Sequence, residues 1–314
     1  MFGHKLALFL PALLFLAACG QGHPQGHPAP RSTVAKVPAH AASSRTAAAP
    51  FAVTLVTAPA NPAQGDTIDI RASFTQKPQR LRLLVDGQAH PVFADGNNFR
   101  VLIGTDPSSP TGIHRVEVIA AGPNGKTVDQ TTTFNLQGVS FPRRTITLTP
   151  QKSRLLSPAA GAEEVALAGA ALAIRTPAQL WQGAFSLPLG NAPIDSPYGY
   201  WGVYNGTPEW FHEGVDFTAA AGTPVHAAAA GVVVLARHLP RGGNTVIINH
   251  GQGVFSEYLH LATFAVSANQ AVAQGQTVGT VGSTGLTTGP GLHWAVFVNG
   301  IPVNPLLWVS APPA

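Results

Sequence analysis

Past residue 50 this chain is written in short runs where apolar and polar residues alternate, punctuated by glycine and proline, and few stretches carry the 3.6-residue period of a helix. With 33 glycines and 28 prolines, the expected fold is mostly β and rich in loops. In residues 51–149 the segments "TIDIRASF", "RLRLLVDG", "HRVEVIAAG" and "TVDQTTTFNL" alternate at period two, separated by the turn formers "QGD", "DGQ", "DGNN" and "GPNG". Strands at this spacing predict an Ig-like N-terminal β-sandwich. No acid, base and nucleophile converge in it, which leaves spacing or recognition as its role. Residues 150–182 read as a connector whose "EEVALAGAALAI" forms a short buried helix; twelve residues are too few to cross a bilayer.

The N-terminus has a different character. In "MFGHKLALFLPALLFLAACGQ", Lys5 precedes an apolar run from Leu6 to Ala18, the outline of an export signal over residues 1–18. Leu16-Ala17-Ala18-Cys19 resembles a bacterial lipobox, which implies cleavage before Cys19 and acylation of its thiol. Two or three acyl chains hold a protein on a membrane where one does so marginally. The expected location is therefore the cell envelope, as a membrane-anchored lipoprotein on the periplasmic or extracytoplasmic face. Cys19 is the sole cysteine, so no disulfide is available. Residues 19–50, rich in Pro, Ala, Gly and Ser, read as the lipidated cysteine and a tether that as a flexible coil reaches roughly 30 Å. The repeated "GHP" within it is a low-complexity feature.

Charge separates the two halves. Residues 1–182 hold 16 Lys and Arg against 9 Asp and Glu, while residues 183–314 hold 2 against 5. The basic residues are scattered, and no cluster interleaves with aromatics, so nucleic acid is not indicated as a partner. A length of 314 residues, 45% hydrophobic and 10% charged, suffices for two compact domains.

Candidate chemistry lies after residue 182. The run "QAVAQGQTVGTVG" has the glycine-punctuated rhythm of lipoyl-type carriers, but those need a lysine, and residues 183–314 contain none. The "HEGVD" at 212–216 mimics the start of H-E-x-x-H, which works on a helix. Gly214, Val215, Phe217 and Thr218 make poor helix material, and in an extended segment Glu213 points away from the face of His212 and Asp216. A third reading takes His212 and Asp216 as zinc ligands. Fully extended, their α-carbons stand roughly 13 Å apart, so the chain must kink, and Gly214 permits it. His293, on a later strand, supplies another nitrogen. Three protein ligands plus water is the pattern of a catalytic zinc site.

"HEGVD", "YLHL" and "GLHW", in this order and with "GTPVHAAAAGVVV", "GNTVIINHGQGV" and "GSTGLTTGP" between them, resemble the lysostaphin-type (LytM-like) zinc endopeptidases that cut peptidoglycan cross-links. The resemblance covers residues 183–309, leaving 310–314 as a tail. It implies a β-sheet peptidase domain (duplicated hybrid motif) with an open groove, Zn2+ held by His212, Asp216 and His293, and His260 as a catalytic histidine donating a hydrogen bond or proton to the oxyanion or leaving amine. The family's His-x-His near the end is here Gly291-Leu292-His293. Strand geometry puts residues two apart on one face, so Gly291 is a vacated catalytic position, or a glycine required by tight backbone after "TGP". The expected consequence is reduced activity, with His226 and His250 as stand-ins to be considered. The implied function is zinc-dependent hydrolysis of peptidoglycan; the alternative is an impaired lipoprotein that binds wall peptide or acts with a cell-wall hydrolase partner.

Overall fold

The computed structural model describes residues 50–313. The signal segment, Cys19 and the tether up to residue 49 lie outside the described residues. The front region holds eight strands: β1 (Val53–Ala58), β2 (Thr67–Phe74), β3 (Arg80–Val85), β4 (Gln88–Ala89), β5 (Phe93–Asp95), β6 (Asn98–Gly104), β7 (Gly112–Ala121) and β8 (Thr127–Leu136). They form two antiparallel four-stranded sheets, ordered β1-β2-β6-β5 and β4-β3-β7-β8. The alternation in "TIDIRASF" decides which residues turn inward: Ile68, Ile70 and Ala72 are fully buried against Val101, Val116, Val118 and Phe134. The β3–β4 turn is the "DG" pair, with Asp86 and Gly87 both at positive φ, as a two-residue hairpin requires.

The next segment does not stay with the front sheets. Strand β9 (Arg143–Ile146) pairs parallel with β11 (Trp201–Tyr204), itself in a hairpin with β12 (Thr207–Phe211). Between β9 and β11 come α1 (Pro150–Ser153), α2 (Pro158–Leu172) and the short strand β10 (Ile194–Ser196). Helix α2 starts where Ser157 accepts a hydrogen bond from the Ala160 N–H and Pro158 occupies the first turn. The helix expected in this connector is thus longer at its start than "EEVALAGAALAI", and of its residues only Ala171 is fully buried. No single helix among the described residues is long and apolar enough to cross a membrane.

The rest of the chain is a ten-stranded sheet made of β10, β13 (Val215–Thr218), β14 (Pro224–His226), β15 (Gly231–Leu239), β16 (Gly243–Gly251), β17 (Val254–Phe264), β18 (Ala271–Val272), β19 (Thr277–Val281), β20 (Gly291–Val298) and β21 (Ile301–Val303), followed by α3 (Pro305–Ser310). Its main path runs β10-β13-β20-β17-β16-β15-β18. One face packs a core that includes Phe217, Val246, Tyr258, Leu261 and Trp294. The other carries Leu235, Leu239, Ile247, Phe255, Ala295 and Phe297, covered by Leu167, Ala168 and Leu172 of α2. A polar seam joins the front sheets to this part. Arg100 donates to both oxygens of the buried Asp69 at 3.0 Å and also to Gln179, with its guanidinium over the Trp181 ring.

Candidate metal centre and active site

The site forms where β12, β13 and β20 meet. His212 follows β12 directly, and its N–H donates to the Tyr200 carbonyl while the Gly199 N–H donates to its own carbonyl. The chain then bends at Gly214 and enters β13. Gly214 is at ordinary negative-region backbone; what it allows is close approach, because a Cβ there would collide with the Trp294 carbonyl of β20. The kink expected at this glycine is present, set by the packing of two backbones rather than by a left-handed φ.

Strand register supplies the other two groups. Asp216 in β13 lies directly opposite His293 in β20. Period two sends Val215, Phe217, Leu292 and Trp294 into the core, so Asp216 and His293 emerge together on the opposite face. There the His212 Nε2 lies 3.0 Å from Asp216 Oδ1 and 3.0 Å from His293 Nδ1, and His293 Nδ1 lies 2.8 Å from Asp216 Oδ1. The other nitrogen of His212, Nδ1, donates to the Pro197 carbonyl at 2.9 Å. That fixes the tautomer with Nε2 free to bind a metal. Burial alone would raise the Asp216 carboxyl, but hydrogen bonds to His212 and His293 and their charge outweigh it and hold it well below the usual carboxylate range. Burial lowers His293, with Asp216 opposing.

This donor set fits zinc. Two imidazole nitrogens and a carboxylate oxygen are ordinary zinc donors, and tetrahedral bonds of about 2.0–2.1 Å place donors roughly 3.3 Å apart. The observed separations fall slightly short of that, so a small outward movement makes room for the ion. His212, Asp216 and His293 are the one such group among the described residues.

His260 stands beside the cluster, its ring 6.4 Å from that of His293. Strict alternation along β17 would have turned it into the core behind Tyr258. A β-bulge prevents this: between Tyr258 and Leu261 two residues of β17 face one of β16, and His260 takes the left-handed conformation at φ 67°. Leu259 and His260 therefore both line the cavity while Leu261 returns to the core. The His260 Nδ1 lies 2.9 Å from the Thr284 carbonyl, so it carries the proton and Nε2 is the free acceptor. Burial, followed by the charge of His293, lowers this histidine to about 4. In this tautomer the free Nε2 accepts, while the one N–H of the ring is held by the Thr284 carbonyl.

The cluster lies between two cavities. One, of about 450 Å3, is lined by Glu213, Glu257, Arg241, Trp210 and one side of α2. The other, of about 370 Å3, lies on the Gly291 side among Arg144, Tyr204 and Thr287. Glu213 is not part of the metal group, but because residues 212–214 leave strand geometry it lines the first cavity with His212 and Asp216 instead of pointing away. Burial pushes it up to about 7. Helix α2 walls one side of this cavity, and it and the segment leading into it are tied down: the Glu164 carboxylate accepts from the N–H groups of Arg241 and Gly242, Lys152 of α1 donates to the carbonyls of Ser283 and Gly285, and Arg241 donates to those of Leu155, Leu156 and Ser157.

Gly291 is not at positive φ either. A Cβ on it would come within 2.8 Å of the Phe217 carbonyl oxygen in β13. The expected stand-ins do not reach it: neither His226 nor His250 lines either cavity. His250 is fully buried between the Ala230 carbonyl and the Ser256 hydroxyl, and His226 lies 3.5 Å from the Thr277 hydroxyl. Tyr200 was not singled out by its sequence. Its ring packs 4.8 Å from that of His212, and it lines both cavities.

Residues 210–305, the stretch that carries all four histidine and aspartate positions, match peptidase family M23. The chain carries an M23 peptidase domain. The M23 domain is 46% identical over 93 residues to the peptidoglycan DD-endopeptidase ShyA of Vibrio cholerae, covering 30% of this chain and 22% of that protein. It is 42% identical over 127 residues to the DD-carboxypeptidase/endopeptidase Mpg of Neisseria meningitidis serogroup B, covering 40% and 29%. The chain thus spans between a fifth and a third of the length of these curated relatives. A crystal structure of a candidate M23 peptidase from Pseudomonas aeruginosa superposes with a TM-score of 0.57 at 26% identity, over 80% of this chain and 96% of that one. That span takes in front sheets as well as the M23 domain. The family resemblance read from the ordered motifs is borne out.

Proposed function

We propose that this chain is a zinc-dependent endopeptidase that hydrolyses peptide cross-links of bacterial peptidoglycan, slowed by the absence of an imidazole at position 291. The observation that carries the reading is the convergence of His212 Nε2, Asp216 Oδ1 and His293 Nδ1 within 3.0 Å of one another, with the free Nε2 of His260 beside them. Relatives named as peptidoglycan DD-endopeptidases give it further support.

Zinc, when bound, supplies Lewis acidity, polarising a peptide carbonyl and making water nucleophilic at neutral pH. The chain's own groups do the rest. The Nε2 of His260 takes the proton from the attacking water and returns it to the leaving amine, while the Thr284 carbonyl holds the ring in the required tautomer. Asp216, ionised, would hold the ion through Oδ1 together with His212 Nε2 and His293 Nδ1. No imidazole overlooks the metal from position 291, and loss of one oriented donor costs typically 10²- to 10³-fold in rate. On this reading the lipobox Cys19 holds the enzyme at the envelope membrane.

The test is zinc content together with digestion of purified muropeptide dimers by the soluble protein and its His260→Ala variant. Cleavage by the wild type that disappears in the zinc-loaded variant is the expected result. A zinc-loaded, folded wild type that binds dimers and cuts none overturns the enzyme reading in favour of a wall-peptide-binding lipoprotein.

A further inference from the structure

The carboxyl of Glu257 has no part in the chemistry above, and its surroundings are unusual for an acid. It lies in the middle of β17, opposite Ile247 of β16 and Ala295 of β20, in the interior of the sheet. Its neighbours two residues away on the same face are Phe255 and Leu259. Only 8% of it is exposed, yet among the described residues nothing donates a hydrogen bond to it and no cation pairs with it. A carboxyl in so apolar a setting is costly unless a partner reaches it, and its oxygens are not sealed in the sheet but open on a cavity.

The side chain lines the 450 Å3 cavity, which is continuous with the metal cluster through His212, Asp216 and His293. Glu213 lines it too. The guanidinium of Arg241 is the lone cationic side chain among the described residues lining this cavity, and it is engaged elsewhere, on the carbonyls of Leu155, Leu156 and Ser157 and over the Trp210 ring. Val165, Leu172 and Phe297 add apolar wall. A long aliphatic stem ending in several N–H donors matches such a space: the methylenes lie on the apolar wall and the head reaches the acid.

We propose that this cavity is a recognition pocket for an ammonium-bearing side chain of the substrate peptide, with Glu257 as its specificity-determining residue. The inference rests on the hydrolase reading for the word substrate; the binding chemistry itself does not. Burial, then the nearby Glu213 and Glu164, push Glu257 up to about 8, as expected of an acid with no cation beside it. An arriving ammonium supplies the missing partner.

The experiment uses the full chain loaded with zinc and two probes that contain no cleavable cross-link, Nα-acetyl-lysine amide and its Nε-acetylated twin. Binding to wild type is measured by calorimetry or chemical-shift titration, and repeated on Glu257→Gln and Glu257→Met. The expected result is that wild type prefers the free amine by roughly ten-fold and that both variants lose the preference while keeping zinc and melting no lower than wild type. No binding of the amine by wild type, equal binding of the two probes, or a preference that survives in both variants overturns the proposal. Muropeptide cleavage is scored separately in the same samples, so its absence counts against the hydrolase reading and leaves the binding result standing.

Discussion

Replacing Gly291 with histidine tests whether position 291 is a vacated catalytic position. Gly291 opens β20 opposite Thr218 of β13, and its backbone tolerates a side chain because its φ is not positive. The obstacle is steric: the new Cβ meets the Phe217 carbonyl oxygen at 2.8 Å, about 0.5 Å inside ordinary carbon–oxygen contact. Overpacking of this kind costs about 1–3 kcal/mol, offset by about 0.5–1 kcal/mol because a non-glycine residue loses less entropy on folding. A net cost of order 1 kcal/mol lowers the melting temperature by about 2–4 °C in a chain of this size. Against that, the ring emerges on the face of His293, and one oriented donor is worth about 10²-fold in rate. The assay combines muropeptide cleavage, zinc content and thermal melting for Gly291→His, with Gly291→Ala carrying the steric cost alone. Both variants should melt slightly lower than wild type, and only the histidine should cleave faster. A folded, zinc-loaded Gly291→His protein with no gain refutes the vacancy, and an unshifted Gly291→Ala refutes the steric argument.

Zinc should bind at about one ion per chain and be lost in His212→Ala, Asp216→Ala and His293→Ala, whereas His226→Ala and His238→Ala retain it; metal analysis after dialysis decides this. Acid should destabilise the fold through His250, whose folded-state pKa burial lowers to about 4 against about 6.5 when unfolded. Between these values the unfolded chain binds a proton that the native form refuses, so stability is full above about pH 6.5 and falls by roughly 3 kcal/mol as pH drops toward 4. Denaturation of metal-free protein across that range, compared with His250→Asn, checks it: the variant's profile should be flatter. Cys19→Ser should release the protein from membranes or block its maturation, and unchanged membrane retention with normal signal cleavage would count against acylation.

The sequence alone was enough for much of the fold and for naming three side chains that the fold brings together as a group able to hold a metal. Period-two alternation placed β2 and β8 at the bounds observed, because which residues face inward in a strand is a local property. The spacing of "HEGVD" and "GLHW" marked His212, Asp216 and His293, since a ligand set must be chemically legible in its residue types. Other features had no local signal. His260 reaches the cavity through a bulge and a left-handed φ that nothing in "YLHL" announces, and its tautomer depends on a carbonyl 24 residues away. The sequence reads Gly214 as a kink and Gly291 as a vacated position or tight backbone; which carbonyl of the facing strand each approaches closely is seen only in the fold. The covering of the groove by α2, and the isolation of Glu257 among apolar neighbours, arise from which strands pair and what packs across them. Such contacts join residues far apart in the chain, and only the tertiary structure decides them.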